Sequence, residues 1–108
     1  MKAPTPPIFI VEGLDVTVHR SVEDAQSWLE PWWIKQKEGV AYDAEGRLLH
    51  LKISKRHISM TLAEEEPKHP SGLESILRRF LKAIGEPIGD DLLCTLPCLV
   101  EFCQKFIM

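Results

Sequence analysis

The sequence predicts an α+β domain: an antiparallel sheet of about five strands with helices packed on one face, in the order ββαβββαα. Three observations predict it. Short apolar stretches of strand period follow one another across turn-length gaps, which implies antiparallel pairing. Two stretches, from Ser21 to Leu29 and from Ser71 to Gly85, carry helical spacing with recognisable ends. The helical segments after the last strand are long enough to cover a sheet.

The elements follow in order. Ile8-Phe9-Ile10-Val11 is an unbroken apolar run and reads as a buried strand. Glu12-Gly13 is a turn, after which Leu14, Val16 and Val18 alternate with Asp15, Thr17 and His19 as a half-buried strand. Ser21 opens the first helix as its cap, with Glu23 and Asp24 at the positive end. Val22, Ala25 and Leu29 share a face of it, with Trp28 alongside. Pro31 excludes helical backbone at Glu30 and stops it. Trp28, Trp32 and Trp33 then crowd together, a density that serves either to plug the helix onto the sheet or to form a contact surface.

Asp43-Ala44-Glu45-Gly46 is a type I hairpin turn with glycine in the left-handed position. This register sets Asp43 opposite Arg47 and Tyr42 opposite Leu48. Ala41, Leu49, Leu51 and Ile53 fall on one face. Val40, Tyr42, Leu48 and His50 fall on the other, which is either covered by a helix or the Trp segment or left as a patch for a partner. Ile58, Met60 and Leu62 alternate with His57, Ser59 and Thr61 in the last strand, which runs into the acidic loop Glu64-Glu65-Glu66. Ser71 and Glu74 have the spacing of a capping box. Leu73, Ile76, Leu77, Phe80, Leu81 and Ile84 form the apolar face of the helix that follows, and Gly85 ends it. A last helical segment begins near Asp90-Asp91, and Pro97 should kink or split it.

A length of 108 residues suits one domain. Residues 1–7, rich in proline, read as a flexible lead-in, and residues 8–108 as the folded unit. A hydrophobic share of 44% with 27% charged residues is that of an ordinary globular protein. The net charge of −3 lacks the basic field of a general nucleic-acid binder. No apolar run approaches the ~20 residues of a membrane span, and Ile8–Val11 is shorter than a signal core of roughly 7–15 residues. A cytoplasmic protein is expected.

Catalytic patterns do not emerge. There is no phosphate-binding glycine loop and no nucleophile elbow. The three cysteines, Cys94, Cys98 and Cys103, are odd in number and read as small buried thiols. His19, His50, His57 and His69 lack zinc-ligand spacing, so no metal or other cofactor is expected. His19, His50 and His57 fall on strand positions that face solvent. Two alternatives remain. One is a small enzyme with a dispersed site of His50, His57 and a C-terminal cysteine. The other is a nucleic-acid-binding module built on Lys52, Lys55, Arg56, Arg78, Arg79 and Lys82.

One resemblance points to a partner. Ser21-Val22-Glu23, Ala25, Leu29-Glu30-Pro31, Tyr42-Asp43 and Glu45-Gly46-Arg47-Leu48-Leu49 form a pattern that resembles small bacterial immunity proteins of polymorphic toxins, including contact-dependent growth inhibition systems. It spans roughly the first half of the chain. Between its blocks, Trp32-Trp33-Ile34-Lys35-Gln36-Lys37 is more basic and aromatic than the corresponding stretch of that group. The resemblance implies a protein without enzymatic activity that binds and neutralises a toxin domain, with neither nucleic acid nor membrane as partner. Charge and aromatic content then select the contact residues: Glu64, Glu65, Glu66, Asp90 and Asp91, with Trp32, Trp33 and Tyr42 as anchors.

Overall fold

Strand β1 (Ile8–Glu12) is the centre of the molecule, because it has no polar side. A computed structural model describes residues 3–13, 15–29, 39–54, 57–86 and 95–108. In it β1 pairs antiparallel with β2 (Asp15–His19), Phe9 facing Val18, and with β3 (Val40–Tyr42), Phe9 facing Tyr42. These make one sheet in the order β2-β1-β3. Strands β4 (Leu49–Ser54) and β5 (His57–Leu62) form a separate two-stranded antiparallel hairpin. Three helices complete the described fold: α1 (Val22–Trp28), α2 (Pro70–Ala83) and α3 (Leu96–Cys103), the last followed by a short 3-10 turn, Gln104–Phe106.

The α+β class and its antiparallel strands stand, but the single five-stranded sheet does not. The strands divide three and two, and the order gains the closing 3-10 turn. The division falls after the hairpin turn, where one bridge, Tyr42 to Leu48, joins the two sheets. A β3 of three residues gives the ladder little to continue on.

Helices on one face is also corrected. Side chains alternate along a strand, so Phe9 and Val11 point to one side of β1 and Ile8 and Ile10 to the other, and all four are buried. Phe9, Val11, Val16 and Val18 pack against Leu73, Leu77 and Leu81 of α2 and Leu96, Leu99 and Val100 of α3. Ile8 and Ile10 pack against Ala25 and Leu29 of the α1 segment, with Ala41, Leu49, Ile58 and Met60. A strand apolar on both faces requires two covers, and α1 supplies the second. The β4–β5 hairpin needs only one: its inward residues join this core, while His50, Lys52, His57, Ser59 and Thr61 are exposed. The outward amide of Met60 donates to Gln26 Oε1 of α1 at 2.8 Å, which closes the edge of β5.

Helix ends follow local chemistry. Ser21 Oγ accepts from the Asp24 amide at 3.1 Å and caps α1. The proposed Ser71–Glu74 capping box is not used. Pro70 takes the first helical position, where its missing N–H costs nothing, so α2 begins before Ser71 and His69 is the cap. Glu74 pairs instead with Arg78 at 3.4 Å. Gly85, at φ +84°, ends α2, with its amide on Lys82 O and the Glu86 amide on Leu81 O. Pro97 stands in the first turn of α3, which starts at Leu96 rather than bending around it.

His19 is a further correction. Period-two counting makes it solvent-facing, but α1 covers that side of β2 and leaves it 1% exposed. Its Nε2 meets Thr17 Oγ1 at 2.9 Å, and its ring lies 5.2 Å from that of Trp28. Burial holds its pKa below the usual 6.5, against the opposing pull of Asp24. Below about pH 6.5 the unfolded chain therefore binds a proton that the folded chain refuses. The stability His19 contributes is complete above that pH and falls as pH drops toward the folded-state value. Urea titrations should show this loss between pH 7 and 5.5, at no more than about 1.4 kcal/mol per pH unit for one proton. His19→Gln should flatten that part of the profile. An unchanged slope would place the titration elsewhere.

Candidate functional site

Among the described residues the β3–β4 turn is densely hydrogen-bonded, and its sequence is the reason. Asp43 and Arg47 are both buried, at 0% and 4% exposure. The turn places them on the same side, and Arg47 Nε donates to Asp43 Oδ2 at 2.8 Å. Asp43 Oδ1 accepts the amides of Glu45 and Arg47 at 3.0 and 2.9 Å, the local pattern that aspartate offers a turn. Its Oδ2 also accepts the amide of Thr5 at 3.1 Å. The rest of the guanidinium reaches outward: Nη2 to Ala3 O, Thr5 Oγ1 and Glu45 Oε2, and Nη1 to Glu65 O. One ion pair thus fastens the segment before β1, the turn and the loop after β5.

Glu64 belongs to this fastening. Its side chain is 9% exposed, and Oε1 accepts the amides of Leu48 and Lys68 at 2.9 and 3.3 Å. Oε2 lies 3.5 Å from His69 Nε2. The Leu48 amide is the main cause that holds the carboxyl below its ordinary range, against the effect of burial, with Lys68 and His69 assisting. Tyr42 is half-buried beside it, its ring edge-on to His69 at 5.9 Å. Burial, with the Glu64 charge second, pushes its phenol pKa up.

The other predicted contact residues divide. Glu65 and Glu66 are exposed. They share a shallow depression of about 370 Å³ with Ala3, Thr5, Glu45, Arg47 and Pro67. Trp32, Trp33, Asp90 and Asp91 lie outside the described residues. The structure therefore separates the glutamate run. Glu64 turns inward, and Glu45, from the far turn, joins Glu65 and Glu66 at the surface. The sequence signal for Glu45 was its place in the turn, two residues from the arginine that draws the 65 loop in.

No protein-family model, curated protein or solved structure matches this chain.

The thiols do not form one class. Cys98 is in a disulfide, which corrects the expectation of free thiols throughout. Cys103 is a free thiol, fully buried in α3. Burial, with the Glu86 carboxylate second, pushes its pKa up to about 12, so it stays protonated at neutral pH and is a poor nucleophile. Cys94 lies outside the described residues. Among the described residues no three His, Cys, Asp or Glu side chains are placed to hold a metal ion. The cationic residues are spread out: Arg78, Arg79 and Lys82 line an open face of α2, Lys52 lies on the exposed face of the hairpin, and Lys55 and Arg56 lie outside the described residues. No helix among the described residues is long and apolar enough to cross a membrane.

Proposed function

We propose that this protein is an immunity protein, which binds a cognate bacterial toxin domain of nuclease type and neutralises it by stoichiometric occlusion in the cytoplasm. The observation that carries the reading is the gathering of Glu45, Glu65 and Glu66, three carboxylates to the one guanidinium of Arg47, around a depression between the Asp43–Arg47 turn and the loop after β5. A nuclease domain presents a basic surface to its substrate. Glu45 is held on the turn by Arg47 and Thr5, and Arg47 also holds the backbone of Glu65, so these side chains meet such a surface with little ordering to be done on association. Opposite fields also speed the encounter. The resemblance of the first half of the chain to immunity proteins supports the same reading.

The test is co-expression with the product of the neighbouring open reading frame, where a cognate toxin is expected. A stable one-to-one complex and rescue of growth are expected. Reversing the exposed charge of Glu65 with Glu65→Lys should slow association several-fold at low salt, with thermal stability unchanged. A toxin that still kills in the presence of the wild-type protein would overturn the proposal.

A further inference from the structure

Pro6 and Pro7 interrupt the backbone just before β1. Neither carries an amide hydrogen, so these positions offer no donor to a neighbouring strand. Thr5 is the next residue that can donate, and it bonds to the β3–β4 turn. Its amide donates to Asp43 Oδ2 at 3.1 Å, and its carbonyl accepts the Ala44 amide at 2.8 Å. Its hydroxyl donates to Glu45 Oε2 and accepts from Arg47 Nη2, both at 2.9 Å. Arg47 Nη2 reaches on to Ala3 O at 3.3 Å.

These polar bonds are not backed by apolar burial. Ala3 is exposed, Pro4 and Thr5 are half-buried, Pro6 is exposed, and burial begins only at Pro7. Such bonds contribute little net stability, because water replaces them when the segment lifts. A segment held in this way opens more easily than the sheet beside it. Phe9 and Ile10, by contrast, are at most 2% exposed and pair with strands on both sides.

Opening has a local consequence. The Glu45 side chain is 52% exposed, and its Oε2 takes both donors, Thr5 Oγ1 and Arg47 Nη2. Lifting Thr5 removes one of them. The turn is held independently, because the Asp43 amide donates to Arg47 O at 3.0 Å and Arg47 Nε stays on Asp43 Oδ2. We infer that Ala3–Thr5 is a strap that opens without unfolding the turn or the sheet, that the Thr5 hydroxyl is its latch, and that its closure fixes Glu45 for the partner. The last part rests on the reading of the acidic depression as a binding surface; the first two do not.

Amide exchange of the isotope-labelled full chain tests the strap with no partner present. The amides of Thr5 and Ala44 should show the same protection, weaker than that of Asp43, Phe9 and Ile10. Thr5→Val removes the hydroxyl and keeps the branched shape. It should speed exchange at Ala44 by about five- to tenfold and leave Asp43, Phe9 and Ile10 unaltered. Thr5→Ser keeps a hydroxyl and should match the wild type. Protection at Ala44 equal to that at Asp43, or equal exchange at Ala44 in Thr5→Val and wild type, would overturn the strap. So would faster exchange at Phe9 and Ile10 in Thr5→Val, which would make the hydroxyl a support of the whole fold. The second readout is binding to the product of the neighbouring open reading frame. Thr5→Val should weaken it by about two- to threefold, and Thr5→Ser should not. Faster exchange at Ala44 with unchanged binding would show that the strap does not set the site. A wild-type protein that forms no complex would overturn the proposed function and leave the strap to be decided by exchange.

Discussion

Asp43→Ala should cost about 3–5 kcal/mol of folding stability, because it strands a buried guanidinium. Arg47 is 4% exposed, and its Nε would lose its only carboxylate. Glu45 would remain on Nη2 at 2.6 Å, but its side chain is 52% exposed and compensates weakly. The amides of Thr5, Glu45 and Arg47 would lose their acceptor at the same time. For a domain whose total stability is on the order of 5–15 kcal/mol, this is a large fraction. Urea unfolding at neutral pH measures it. The decisive comparison is a double-mutant cycle with Arg47→Met, which removes the stranded charge while keeping its aliphatic volume. The double variant should lose less than the sum of the singles by about 0.5–3 kcal/mol. Additive losses would mean that the two side chains are not coupled, and the turn would then be held by backbone bonds alone.

That turn also separates what the sequence reveals from what it hides. The pairings of Asp43 with Arg47 and of Tyr42 with Leu48 are legible because a short turn fixes its own register. The third partner is not, since Thr5 is distant in sequence and carries no pattern that names aspartate as its acceptor. Glu64 is the same case. Three adjacent glutamates look alike on paper, and it is chiefly the Leu48 amide, presented just before β4, that distinguishes the first from the other two.

The fold shows a similar boundary. The apolar run Ile8–Val11 declares a strand buried on both faces, yet spacing alone does not say which helix covers which face. That information resides in contacts between α1 and the β4–β5 hairpin. His19 was misplaced for the same reason: alternation tells which residues share a face, not whether the face is wet. Ile84 errs in the opposite direction. Helical period assigns it to the core, but it is the cap residue of α2, where the buried face has ended.

Gly46→Ala tests the join between this turn and α2, and it should cost about 2–5 kcal/mol. Gly46 sits at φ +85°. A residue with a Cβ pays about 1–2 kcal/mol for that conformation. Space adds the rest. A Cβ there would lie 2.6 Å from Pro70 Cα and 2.8 Å from Pro70 N. These are backbone atoms at the start of α2, so no rotamer change relieves the overlap, and forced movement of packed structure costs about 1–3 kcal/mol. The His69 amide, which donates to Gly46 O at 3.1 Å, would move with it. Gly85→Ala provides the control. Gly85 has nearly the same φ, +84°, with nothing within 4 Å of the added carbon. It should lose the conformational part alone, about 1–2 kcal/mol. The difference between the two, read by urea unfolding, is the steric term. Equal losses would show that the turn and the helix start do not press together. A larger loss at Gly46 would tie the position of Glu45, and with it the acidic depression, to the seating of α2.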